Sequence, residues 1–96
     1  MKHIKIAAGM AGSFDYGNVC LNMKEALDAG ADICHSDAAD MLDLRNLQLV
    51  GGHLIIKAVR SITDKEIECH LYAQECDRLF IEKIAAAGAT MLILPV

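Results

Sequence analysis

The chain has 96 residues, 54% hydrophobic and only 4% aromatic, with 9 Lys and Arg against 13 Asp and Glu for a net charge of −4. That length holds one small domain, and that apolar content excludes disorder. An acidic, evenly mixed surface offers no basic patch to a phosphate backbone, so no nucleic-acid partner is expected.

In chain order, residues 4–8 read as a short apolar strand. Asn18 is placed to cap a helix running to about Ala29, with Val19, Met23 and Leu27 aligned on one face and Gly30 as its stop. Residues 31–36 read as a second strand, and residues 52–62 as a second helix carrying Leu54, Ile55, Ala58 and Val59. A third strand spans 66–72. The third helix spans 77–87, with Phe80, Ile84 and Ala87 aligned and Gly88 closing it, and the fourth strand spans 90–94.

This β-α-β-α-β-α-β order predicts an α/β fold with a parallel sheet and helical crossovers. Two echoes point to repeated βα units. Ala29-Gly30-Ala31-Asp32 and Ala87-Gly88-Ala89-Thr90 both lead from helix into strand, and Cys34-His35 and Cys69-His70 both end strands. Such units suit a TIM-type barrel, which typically takes ~250 residues. The expectation is therefore one domain over residues 1–96, about half a barrel with four parallel strands.

The most apolar stretches, 84–89 and 91–96, fall well short of the ~20 residues of a membrane span, so no membrane partner is expected. The start, Met1-Lys2-His3-Ile4-Lys5, lacks the apolar run of a secretory signal. Cys20, Cys34, Cys69 and Cys76 show no Cys-x-x-Cys spacing and read as reduced packing thiols in a cytoplasmic protein. An open four-stranded sheet exposes its inner face and edges, so a homo-oligomer is expected.

Chemistry concentrates at the strand ends. His35 and Asp37, two residues apart on the second strand, point the same way, and His70 ends the next strand. Two neutral imidazoles and a carboxylate suit a divalent metal such as zinc, with open positions for substrate. By the same alternation Cys34 and Cys69 face the helices. Glu68 points inward with His70 and reads as a polar layer or a partner behind the site. His53 opens a helix, His3 is exposed, and Arg45 is a solvated loop charge. Met10, Met23 and Met91 read as core.

Nearly end to end, the chain resembles the ribulose-phosphate 3-epimerase family. The resemblance is carried by Ile6-Ala7, Asp15, Asn18, Ala29-Gly30-Ala31-Asp32, His35-Ser36-Asp37, Asp40 and Asn46-Leu47. It continues through Lys57-Ala58-Val59-Arg60, His70-Leu71, Asp77-Arg78 and Ala87-Gly88-Ala89. The family patterns are His-x-Asp-x-x-Asp-Gly around the second strand and Asp-x-His-Leu-Met around the third. Gly9 stands where the family usually has Ser, Met41 where it has Gly, and Glu68 where it has Asp. Tyr72 stands in place of a pocket Met, and Pro95 in place of a His.

The resemblance implies the amino-terminal half of a (β/α)8 barrel that epimerises a ketose phosphate at C3 through an enediolate. His35, Asp37 and His70 match three of four ligands to a divalent metal, zinc first, with iron or manganese as alternatives. Asp37 also matches an acid/base carboxylate, and Gly9 and Tyr72 fall at substrate-binding positions. The fourth ligand, which is also the opposing carboxylate, and the Gly-rich phosphate loop belong to the family's second half. The 96-residue chain is accordingly expected to be inactive alone. Two other readings stand beside this one: a different phosphate-binding TIM-barrel enzyme, and a non-catalytic half barrel that self-associates.

Overall fold

The computed structural model describes residues 2–10, 16–39, 52–72 and 78–94. Within them, β1 (Ala7–Gly9), β2 (Ile33–Ala39), β3 (Glu66–Tyr72) and β4 (Met91–Ile93) alternate with α1 (Val19–Asp28), α2 (Gly52–Arg60) and α3 (Arg78–Ala87). The strands form one parallel sheet in the order β1-β2-β3-β4. Each strand lies beside its predecessor, and the helices share a single core with one face of the sheet. A sheet wound in one direction with helices on one side is the barrel type of α/β architecture, not the doubly wound type.

Alternation along the strands sorts that core. Cys34 and Ala38 of β2 and Ile67, Cys69 and Leu71 of β3 close on Met23 of α1, Ile56 and Val59 of α2 and Ile84 of α3, none more than 2% exposed. Burying each of the larger aliphatic side chains contributes about 1.5–3 kcal/mol. The odd-numbered positions of β2 and the even-numbered positions of β3 turn the other way and include His35, Asp37, Glu66, Glu68 and His70; Ser36 is the buried polar residue on the helix side, donating to Glu68 O.

The Ala-Gly-Ala echo has a structural meaning. After α1, Gly30 N–H donates to Leu27 and Ala31 N–H to Ala26; after α3, Gly88 N–H donates to Ala85 and Ala89 N–H to Ile84. Both glycines have positive φ, +118° and +123°, as this helix stop demands. The residue that follows each echo then pins a neighbouring strand. Asp32 N–H donates to Ile6 O, and its carboxylate accepts the Ile6 N–H at 2.9 Å. Thr90 N–H donates to Ile67 O, and its Oγ1 accepts the Ile67 N–H at 3.0 Å.

Several expectations are corrected. The first strand is Ala7–Gly9 instead of 4–8, because the Asp32 carboxylate takes the place of a ladder partner at Ile6. The second runs on to Ala39, and the fourth is the shorter Met91–Ile93. Asn18 occupies the cap position of α1 but makes no side-chain cap bond; a 3-10 turn over Tyr16–Asn18 leads into the helix instead. On α2 the inward residues are Ile56 and Val59, whereas Leu54 is 67% exposed, because 100° per residue turns it away from them. Met10 and Met23 are core, but Met91 is 40% exposed on the helix-free face. Asp15, Asp40, Met41, Arg45, Asn46, Leu47, Cys76, Asp77 and Pro95 lie outside the described residues.

Candidate metal centre

Strand register assembles the site. Gly9 pairs with His35 and His35 with Glu68; one layer further along, Asp37 pairs with His70. His35, Asp37, Glu68 and His70 thus form two adjacent polar layers, the first at mid-strand and the second two residues short of the ends at Ala39 and Tyr72, so neither His35 nor His70 ends its strand as expected. All four sit on the face opposite the helices.

Asp37 Oδ1 is the hub. It lies 3.2 Å from His35 Nε2 and 3.7 Å from His70 Nδ1. One ligand atom from each of His35, Asp37 and His70 lies within 4.8 Å of the others, close enough for a single ion to touch all three. The two rings meet edge to face, with centroids 6.4 Å apart and planes at 68°. The donor chemistry fits a divalent metal of the zinc, iron or manganese type: two imidazole nitrogens, one carboxylate, and remaining positions open on the helix-free side.

Glu68 approaches His35 from the other edge of its ring, with Oε1 2.7 Å from Nδ1. His35 therefore touches a carboxylate through each nitrogen. Burial is the largest single influence on its pKa and pulls it down; the hydrogen bonds and charges of Glu68 and Asp37 together outweigh that, and the imidazole titrates above the ordinary histidine value. A neutral imidazole has one N–H and can donate to only one of these carboxylates. The other contact needs a cation between the two groups, either a second proton or a metal.

The remaining site expectations distribute as follows. The backbone of Gly9 sits beside His35, and a Cβ built there would meet nothing within 4 Å among the described residues. Tyr72 ends β3 beside Ala39, and its side chain lies outside what is described. Cys34 and Cys69 are fully buried against the helices, burial pushes both thiols up in pKa, and neither joins the donor cluster. Sequence reasoning placed Glu68 on the inward face but did not give its partner; the His35–Glu68 register supplies it. A cavity of about 240 Å³ between α2 and α3, lined by His53, Lys57, Lys83, Ala86 and Ala87, shares no residue with this cluster.

Fold and site together define a class: β/α-barrel enzymes, whose chemistry sits at the carboxyl ends of parallel strands. The model of the ribulose-phosphate 3 epimerase family matches residues 5–96. The chain belongs to that family, one of TIM-barrel enzymes that use a divalent metal, and its four strands correspond to part of such a barrel. Among its relatives is the ribulose-phosphate 3-epimerase of Bacillus subtilis, 36% identical over 89 residues, which are 93% of this chain and 39% of that protein. The ribulose-phosphate 3-epimerase of Synechocystis is 32% identical over 91 residues, 95% of this chain and 38% of that protein. That of Escherichia coli K12 is 32% identical over 93 residues, 96% of this chain and 40% of that protein. The chain thus spans about two fifths of the length of the curated relatives it matches.

Proposed function

We infer that residues 1–96 form one domain, the amino-terminal half of an epimerase barrel acting at C3 of a ketose phosphate such as ribulose 5-phosphate. The carrying observation is the meeting of His35, Asp37 and His70 around one point on two neighbouring strands, with Asp37 and His70 in the carboxyl-terminal half of each. His35, Asp37 and His70 hold a divalent metal, zinc in the first instance. When bound, the metal supplies Lewis-acid stabilisation of charge developing on the ketose oxygens. Asp37 takes the C3 proton on one face of the substrate and can return it to that face. Gly9 and Tyr72 flank the substrate, Gly9 by leaving room among the described residues beside His35.

Inversion needs a second carboxylate on the opposite face of the substrate. On the same face the described β3 carboxylates are Glu66, at the start of the strand and 3.8 Å from Lys5, and Glu68, which is engaged with His35 at 2.7 Å. The opposing carboxylate and the phosphate loop are expected from the second half of the barrel, so the 96-residue polypeptide by itself is inactive as an epimerase. The polypeptide is cytoplasmic, in keeping with its free thiols Cys20, Cys34 and Cys69. Among the described residues no helix is long and apolar enough to cross a membrane.

The test follows deuterium uptake from solvent at C3 of ribulose 5-phosphate, together with formation of xylulose 5-phosphate. Exchange without epimerisation, lost in Asp37→Asn, is the expected result for a one-base site. Full turnover by the 96-residue chain would show that it is complete in function. Absence of exchange even in a barrel-length relative carrying these residues would remove Asp37 from the acid/base role.

A second reading has its own support. Met91, Ile93 and Leu94 are 40%, 38% and 46% exposed, which suits a half barrel that associates with itself as a homo-oligomer, whether or not it catalyses.

A further inference from the structure

Glu68 is not one of the three donors, yet its 2.7 Å approach to His35 Nδ1 is shorter than the 3.2 Å from His35 Nε2 to Asp37. Two carboxylates face one imidazole from opposite edges. In the neutral ring they compete for a single proton. With that proton on Nε2, the nitrogen turned toward Asp37 and His70 has no lone pair to give an ion. With it on Nδ1, the lone pair of Nε2 points into the triad.

The fold sets the outcome. His35 and Glu68 are direct partners across the β2–β3 ladder, so the Glu68 carboxylate meets the near edge of the ring. Asp37 and His70 are the next partners on that face, beyond the far edge. The side chains of His35 and Glu68 are only 23% and 15% exposed, so water competes weakly for their contact.

We propose that Glu68 is a positioning residue, holding His35 as its Nδ1–H tautomer and aiming Nε2 at Asp37 and His70. Its purpose rests on the metal reading above; its physical content, a tautomer and a ring orientation, can be read without metal. Hydrogen bonds behind a ligating histidine typically tune metal affinity by ~10- to 100-fold.

The experiment uses the metal-free 96-residue chain, labelled with nitrogen-15, and reads ring tautomers by long-range proton–nitrogen correlation at alkaline pH. Wild type is expected to show His35 protonated on Nδ1. Glu68→Met keeps the side-chain length but removes the acceptor, and moves the proton to Nε2, where Asp37 accepts it. Glu68→Gln keeps an acceptor oxygen and retains the Nδ1–H form. In parallel cobalt(II) titrations, Glu68→Met weakens binding by ~10- to 100-fold and Glu68→Gln by less.

A wild-type His35 carrying its proton on Nε2 overturns the proposal, as does a folded Glu68→Met with an unchanged tautomer. If Glu68→Met does not fold, the wild-type and Glu68→Gln spectra decide, and loss of the Nδ1–H form in Gln overturns it. A tautomer shift in Glu68→Met, in a chain that takes up no cobalt in any form, upholds the role of Glu68. That result overturns the metal reading instead.

Discussion

At the residue scale, the proposed ligand role of His35 makes metal affinity a function of pH. The folded-state pKa of His35 is raised, so the protonated ring contributes stability that is full below the ordinary value near 6.5 and fades as pH rises through the folded value. Metal binding runs the other way, because an ion needs the lone pair that the proton occupies. Zinc or cobalt affinity is therefore expected to climb with pH until His35 has titrated, then level off, while the metal-free protein loses part of its stability over the same range. Affinity titrations and urea unfolding across pH check both limbs; affinity flat across the titration of His35 would exclude it as a ligand. The pair of histidines was legible in the sequence, because period-2 alternation fixes which way His35, Asp37 and His70 point. The bond from Glu68 was not. Its partner depends on cross-strand register, which places His35 rather than Asp37 opposite it.

Among the elements, the turn after α3 is the most sharply specified. A Cβ at Gly88 would lie 2.6 Å from Arg60 Cγ, and the φ of +123° is one that side chains resist. The Arg60 guanidinium is committed there, donating to the carbonyls of Gly88, Thr63 and Lys65. At Gly30 the φ is similar, +118°, but no described residue lies within 4 Å of a Cβ. Gly30→Ala should thus cost only backbone strain, about 1–3 kcal/mol, while Gly88→Ala adds the displacement of Arg60. Urea denaturation of both, and of Gly88→Ala combined with Arg60→Ala, separates the two contributions; equal losses at the two glycines would show that Arg60 moves aside freely. The repeated Ala-Gly-Ala gave these turns away in the sequence, but the Arg60 clamp joins residues distant in the chain and leaves no local trace.

Helix α2 shows the opposite case. Apolar residues at 54, 55, 56 and 59 leave its inward face ambiguous in the sequence, and packing selects Ile56 and Val59. Ile56→Ala is expected to destabilise by about 2–5 kcal/mol, while Leu54→Ala, at an exposed position, stays within about 0.5 kcal/mol.

At the scale of the whole molecule, the described helices cover one face of the sheet and leave the other without a helix among the described residues. The covered face holds the core; the other combines the polar cluster with Met91 and Ile93, and the outer strands β1 and β4 each have one neighbour among the described residues. Apolar surface and open strand edges of this kind favour association. Sedimentation of the 96-residue chain at micromolar concentration is expected to show a dimer or larger assembly, and a compact monomer would count against it. The strand–helix order and a parallel sheet could be read from the alternation of periods, and the barrel-type winding was suggested by the two sequence echoes. What lies over the open face could not, because one exposed apolar surface suits either a second copy or further chain.

Cys34 and Cys69 lie back to back with the donor triad, sealed between β2, β3 and the helices, with their pKa values raised by burial. Cys20 on α1 is free and only partly covered. These thiols therefore make a built-in clock of opening events. In native buffer an alkylating reagent should reach Cys20 early, whereas Cys34 and Cys69 react only in the small fraction of molecules whose sheet has parted from its helices. The slowing of their labelling relative to the denatured chain measures that fraction. If zinc binds the His35, Asp37 and His70 cluster as proposed, on the opposite face of the same two strands, it should slow the clock further.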